Sequence, residues 1–183
     1  MADQNKINLE IYKLFVQTIS EANHIEEMST RLTQILVGAL GIHGAALFIL
    51  DPEREELELL ASSGLSMNYV NKGPILIDKS IKIGPNRQPV VIHDITSSDK
   101  IQYPDSAEQE GIRAIISYPI TMRKKIIGSL RLYHSEQWDI SQEDLFFVEA
   151  LAQTAGLALM YFRVANAVGS IKDVVGDIHD IWL

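Results

Sequence analysis

The stretch from Gly111 to Tyr133, GIRAIISYPITMRKKIIGSLRLY, constrains the fold of this chain more than any other. Two runs rich in β-branched and aromatic residues, Ala114 to Ile120 and Ile126 to Tyr133, flank a polar turn of Arg123, Lys124 and Lys125. That is the pattern of a β-hairpin. The second run alternates, with Ile127, Ser129, Arg131 and Tyr133 on one side and Gly128, Leu130 and Leu132 on the other. A hairpin with one aliphatic face and one face mixing Ser, Arg and Tyr belongs at the centre of an antiparallel sheet. Helices cover the greasy face, and the mixed face suits a pocket.

The rest of the chain supplies those helices. Ile7, Ile11, Leu14, Phe15 and Ile19 recur at helical spacing and predict an N-terminal arm within residues 1–22. Asn23 with Glu26 three places on predicts the start of a second helix. It carries Met28, Leu32, Ile35, Leu36 and Ala39 on one side and ends at Gly41. Ala45 to Leu50 and Leu57 to Ser62 read as a strand hairpin. From Ser63 to Gly111 the chain is irregular, punctuated by Gly and Pro, with one clear strand from Val90 to His93. Such an excursion is where a binding loop is expected. Ser141 with Asp144 opens a long helix with two apolar stripes. One is Leu145, Val148, Ala152, Ala155, Leu159 and Phe162; the other is Phe147, Leu151, Thr154, Ala158, Tyr161, Ala165 and Val168. One stripe covers the sheet, and the other needs the N-terminal arm, the second helix or a second subunit. Gly169-Ser170 is expected to break this helix, leaving residues 169–183 as a separate amphipathic tail and residues 23–168 as the central domain.

Charge and composition narrow the function. A net charge of −8 disfavours nucleic acid and membrane surfaces as partners. With 0 cysteines there can be no disulfide, thiolate metal site or cysteine nucleophile. The N-terminus lacks a leader pattern and the greasiest region, Leu145 to Phe162, is helically patterned, so a cytoplasmic protein with no membrane span is expected. The other histidines, His24, His43, His134 and His179, are scattered relative to His93, and neither a metal nor a haem is expected.

The order of elements resembles the GAF domain family from Asn23 to about Phe162. The most specific match is Gly111-Ile112-Arg113 before a strand ending in Tyr118-Pro119-Ile120, followed by Ile126-Ile127-Gly128 and an aliphatic strand. Pro89-Val90-Val91-Ile92 leading to His93-Asp94, and Ser141 to Leu145, support it. The resemblance implies an α+β, PAS-related fold: a central antiparallel sheet with terminal helices on one face and a loop-rich pocket on the other. It also implies a sensing or dimerising regulatory role. Residues 83–88 depart from the family's usual helix, since Pro85 breaks one. Family members that reduce free methionine sulfoxide or hold bilins covalently use cysteines absent here. The cyclic-nucleotide branch is matched only at Asn71-Lys72, so that ligand is not expected either.

The candidate ligand residues are Phe48, Val91, His93, Asp94, Tyr103, Ser117, Ser129, Arg131 and Tyr133. Arg131, projecting from a central strand, needs an acceptor if buried, and an anionic ligand, Asp94 or Glu108 could supply it. Asp94 could instead cap the turn after it. The candidate dimer contacts are Ile11, Phe15, Phe147, Leu151, Ala158, Tyr161 and Trp182. No catalytic arrangement is present, so the expectation is a non-enzymatic sensor. It binds a small polar or anionic molecule and signals through terminal helices of a homodimer to an output protein. The alternative is a degenerate module kept for dimerisation or partner docking.

Overall fold

A computed structural model describes residues 9–77, 89–99 and 101–181, with side chains described as far as Ile171. Ile7, residues 83–88 and Trp182 lie outside the described residues.

Six strands form one antiparallel sheet in the order β3-β2-β1-β6-β5-β4. They are β1 (Gly44–Asp51), β2 (Glu56–Ser63), β3 (Ile75–Leu76), β4 (Val90–Ile92), β5 (Ala114–Met122) and β6 (Lys125–His134). The central hairpin is β5-β6, closed by Arg123 and Lys124 at φ 47° and 65°. Two positive φ values in a two-residue connection are what a twist-matched tight hairpin turn requires. Three helices cover one face: α1 (Leu9–Glu21), α2 (Ile25–Leu40) and α5 (Gln142–Ile181). Across the other face run two short helices, α3 (Met67–Val70) and α4 (Pro104–Gln109). The expected α+β architecture is the observed one.

Strand alternation divides the interior into two cores. Leu130 and Leu132 of β6, Ile116, Tyr118 and Ile120 of β5, and Ala45 and Leu47 of β1 pack with Met28, Leu32 and Leu36 of α2 and with Val148, Ala152, Ala155 and Leu159 of α5. The opposite core holds Ala46, Phe48, Ile92, Ile115 and Tyr133. Ile127 departs from the simple alternation and packs on the helix side. The β5–β6 register slips between Ile120 and Thr121, and such a bulge turns one residue out of phase.

Several helix boundaries differ from the sequence reading. The N-cap of α2 is His24, with no side-chain cap bond, and Glu27 rather than Glu26 reaches back to the Asn23 N–H at 3.3 Å. Ala39 is exposed and Leu40 takes the core position before Gly41, whose φ of 61° ends the helix. Leu14 is exposed on α1. The start of α5 is as expected, with the Asp144 N–H donating to Ser141 Oγ at 3.0 Å. It then runs unbroken through Gly169-Ser170 to Ile181, because a helical glycine costs only ~1 kcal/mol and does not end a helix by itself.

The second stripe of α5, as far as Ala158, packs within the same chain, where α1 meets it. Tyr12 OH donates to Thr154 Oγ1 at 3.1 Å, since that hydroxyl already donates to the Ala150 carbonyl at 2.7 Å. Phe15, Leu151 and Ala158, expected between subunits, are consequently buried in the chain's own core. Ile11 and Phe147 pack half-buried against that core, while Tyr161 is exposed. Over Gln142–Ile171, α5 is long and apolar enough to cross a membrane, its most apolar 18 residues having a mean hydropathy of 1.5, but its first half is a core element.

Candidate functional site

The mixed face of β6 is the floor of the site. Arg131 lies opposite Ala46 of β1 and Ser117 of β5, both small, which leaves room for its guanidinium beneath the excursion. It is 4% exposed and sits over the Phe48 ring, 5.1 Å from the centroid. Beside it the Tyr133 hydroxyl receives a hydrogen bond from Arg131. Burial pushes the pKa of Tyr133 up, while the charge and hydrogen bond of Arg131 pull against that. On the other side Ser117 Oγ and Ser129 Oγ lie 2.9 Å apart. Ser129 also donates to the Tyr118 carbonyl, so it is Ser117 that donates to Ser129.

The wall comes from α3 and the turn beyond its C-terminus. Ser66 caps α3 by accepting from the Tyr69 N–H at 3.2 Å. Glu110, past the end of α4, accepts from both the N–H and the hydroxyl of Ser66 and fastens the two short helices together. Tyr69 meets Tyr133 edge-on with centroids 5.8 Å apart, and its hydroxyl pKa is raised chiefly by burial. One turn further, Lys72 Nζ lies 3.7 Å over the Tyr69 ring and donates to the Tyr69 carbonyl at 2.9 Å. Burial, then the nearby charge of Arg131, lowers the Lys72 pKa from 10.5 to about 8, with Glu110 opposing. Gln102 and Tyr103 strap the wall down, both donating to the Pro74 carbonyl, at 3.0 and 2.8 Å. Gly73, at φ 130°, makes this strap possible, because a Cβ there would stand 2.7 Å from the Tyr103 hydroxyl.

Lys72 and Arg131 share the lining of a chamber of about 10 Å³ with Tyr69, Ile75, Gln102 and Tyr103. That is about the space of one water-sized group. Two cations with aromatic and amide neighbours can hold an anion.

Residues 24–159 match the sequence profile of the GAF domain. The chain belongs to this family. Solved structures agree on the fold. One is the GAF domain of a phosphoenolpyruvate-protein phosphotransferase from Coxiella burnetii, at 22% identity and TM-score 0.77, covering 87% of this chain and 96% of that one. The GAF domain of the Acinetobacter phosphoenolpyruvate-protein phosphotransferase has 16% identity and TM-score 0.73, covering 90% and 97%. A free methionine-R-sulfoxide reductase from Neisseria meningitidis, in complex with its substrate, has 16% identity and TM-score 0.72, covering 85% and 90%. No curated protein matches the chain in sequence. GAF domains serve as sensor or regulatory modules in signalling proteins, and the fold also carries enzymes such as that reductase.

In this GAF domain the sequence candidates separate into three groups. Arg131 and Tyr103 line the chamber, and Phe48, Ser117, Ser129 and Tyr133 are buried on the same side of the sheet. Val91 points the other way, into the helix-side core, because its neighbours Val90 and Ile92 take the pocket side. His93 and Asp94 stand apart from the chamber. His93 Nδ1 donates to the Trp138 carbonyl at 2.8 Å and lies 3.4 Å from Asp139 Oδ1, which ties β4 to the approach to α5. Asp94 accepts from the Thr96 hydroxyl and N–H at 2.7 and 2.9 Å and from Arg113 at 3.0 Å. The Thr96 bonds come first in holding its carboxyl below the usual range. The capping role is the one observed, and Asp94 partners Arg113 rather than Arg131. Among the described residues no group of His, Asp and Glu could hold a metal.

Sequence reasoning missed Tyr69, Lys72 and Gln102. Their signal was faint: a serine cap at Ser66 placing Tyr69 and Lys72 one turn apart, ahead of the Gly73-Pro74 turn.

Proposed function

We propose that this GAF domain is a non-enzymatic sensor that takes up a small anion between Lys72 and Arg131 and signals through the terminal helices of a homodimer to an output partner in the cytoplasm. The observation that supports the ligand class is the shared chamber. Two cations line one partly buried chamber, and an anion between them lowers the cost of both charges. The chamber has room for about one water-sized group, so a carboxylate or phosphate enters fully only if the Tyr69–Tyr103 wall moves. Transmission needs only that the bound form prefer one helix packing. Arg131 sits between Leu130 and Leu132, which pack in the helix-side core, so a shift of β6 is felt on both faces.

The test is a heteronuclear NMR titration with acetate and with inorganic phosphate, on the wild type and on Lys72→Met and Arg131→Met. Shifts centred on Tyr69, Lys72, Gln102 and Arg131 that vanish in both variants are expected. Because Lys72 loses its proton near pH 8, affinity should fall by up to about tenfold per pH unit above that value. Wild-type spectra unmoved by either anion would sink the ligand class. The small chamber favours a second reading, a module retained for dimerisation or partner docking. Native mass spectrometry separates the two readings, since a co-purified small molecule released on denaturation belongs only to the first.

A further inference from the structure

A groove of about 440 Å³ opens on the helix side of the sheet, where the first two turns of α5 pass beside the outer strand β4. Gln142, Leu145, Phe146 and Glu149 form its helical wall, at the i, i+3, i+4 and i+7 spacing that puts them on one face. Val91 and Tyr118 form its floor, on the same side of β4 and β5. Two chemistries meet there. Val91 and Leu145 are half-buried aliphatics, while the Phe146 ring stands 68% exposed and is steadied by Phe147, edge-on with centroids 6.2 Å apart. The Tyr118 hydroxyl donates to the exposed Glu149 carboxylate and holds it over the floor. Burial first, and then Glu149, pushes the Tyr118 pKa up, so the hydroxyl keeps its proton and Glu149 its charge.

We infer that this groove receives an arginine side chain from a basic segment of a partner protein. Aliphatic walls suit the arginine stem, an aromatic face attracts the guanidinium, and a carboxylate accepts from its paired N–H donors. Charge favours it. From Ile126 to Phe162 the carboxylates are Glu136, Asp139, Glu143, Asp144 and Glu149, whereas the one lysine or arginine, Arg131, lines the chamber on the opposite face of the sheet. The basic turn at Arg123 is further along β5 from Tyr118, roughly 17 Å away. Openness decides between a free molecule and a side chain. A small-molecule site covers most of its ligand, but here Gln142, Phe146 and Glu149 are all exposed. A guanidinium seated there is covered only when its own backbone, and the surface behind it, closes over the groove. The inference goes beyond the sensor reading and needs neither an anion at Lys72 nor a second copy of the chain.

The test is a heteronuclear NMR titration with an acetylated, amidated heptapeptide carrying one central arginine between threonines. It is run against the same peptide with citrulline, the uncharged isostere, and against free arginine. Shifts centred on Val91, Tyr118, Phe146 and Glu149 are expected with the arginine peptide, and citrulline should raise Kd at least about tenfold. Glu149→Gln should raise it by about tenfold as well, and Phe146→Ala by about threefold. Glu143→Gln removes a charge from the same helix but not from the groove lining, and should leave Kd within about twofold. A glutamine carbonyl still accepts from Tyr118, so unchanged melting of Glu149→Gln is expected and separates lost charge from lost structure. Spectra unmoved by the arginine peptide at about 5 mM, equal binding of the citrulline peptide, or equal losses in Glu143→Gln and Glu149→Gln overturn the assignment. Free arginine binding as tightly as the peptide overturns the choice of occupant and gives the groove to a small molecule.

Discussion

Lys72→Met should stabilise this GAF domain at neutral pH, and the size of the gain can be worked from the site. A fall in pKa from 10.5 to about 8 corresponds at full value to ~3.4 kcal/mol of disfavoured charge. Lys72 is only half-buried, so water screens much of it, and about 1 kcal/mol is the realistic remainder. Methionine keeps the stem and sets a thioether over the Tyr69 ring, a contact worth roughly as much as the cation–π one it replaces. The Tyr69 carbonyl keeps the Lys72 backbone N–H as a donor. Above pH 10.5 the lysine is neutral folded and unfolded and costs nothing; below about pH 8 it is charged in both states and the cost is complete. Wild type therefore gains on the variant as pH rises through that window. Urea unfolding monitored by circular dichroism, at pH 7 and pH 10 and one protein concentration, reads both effects. A variant less stable than wild type at pH 7, or a gap that does not narrow at pH 10, would show that the ammonium is not a strained charge.

The packing supports three further expected outcomes. Gly128→Ala would bring a Cβ to 2.2 Å from the Phe48 carbonyl oxygen, so β1 and β6 must part and urea unfolding should show a loss of about 3 kcal/mol; a loss below 1 kcal/mol would mean the strands yield freely. Ser129→Ala should cost about 1–2 kcal/mol by orphaning Ser117, whereas Ser117→Ala with Ser129→Ala should cost less than the sum of the single changes. A strictly additive cycle would deny the bond between them. Phe15→Ala should lose about 3–5 kcal/mol and lower the thermal midpoint, and a smaller effect would mean that α1 is not docked on α5.

The parts of this fold legible in sequence are those where period and burial coincide. β5 and β6 alternate cleanly, so the placement of Leu130 and Leu132 against the helices and of Ser129, Arg131 and Tyr133 away from them could be read directly. Where a register slip intervenes, at Ile127, period alone assigns the wrong face. Gly169-Ser170 reads as a stop by local propensity, but propensity is a weak term and α5 continues. Phe15 and Leu151 show that an apolar stripe announces a partner without naming it; only the tertiary arrangement placed α1 there. The chamber was least legible. Arg131 comes from a strand and could be found, but Lys72, Tyr69 and Gln102 come from a segment with almost no periodicity, and what joins them is the hydrogen bonding around Pro74 and Ser66.

At Gly156 α5 comes down onto the sheet, where a Cβ would stand 2.7 Å from Ile120 of β5. The helix, with no side chain of its own at that point, bears on the Ile120 side chain, which serves as a fulcrum. The 15 residues from Gly156 to Ile171 make a lever arm of ~22 Å, so a tilt of about 5° at the sheet swings the far end by about 2 Å. Displacements too small to notice beneath Arg131 are thus geared up into travel at the tip.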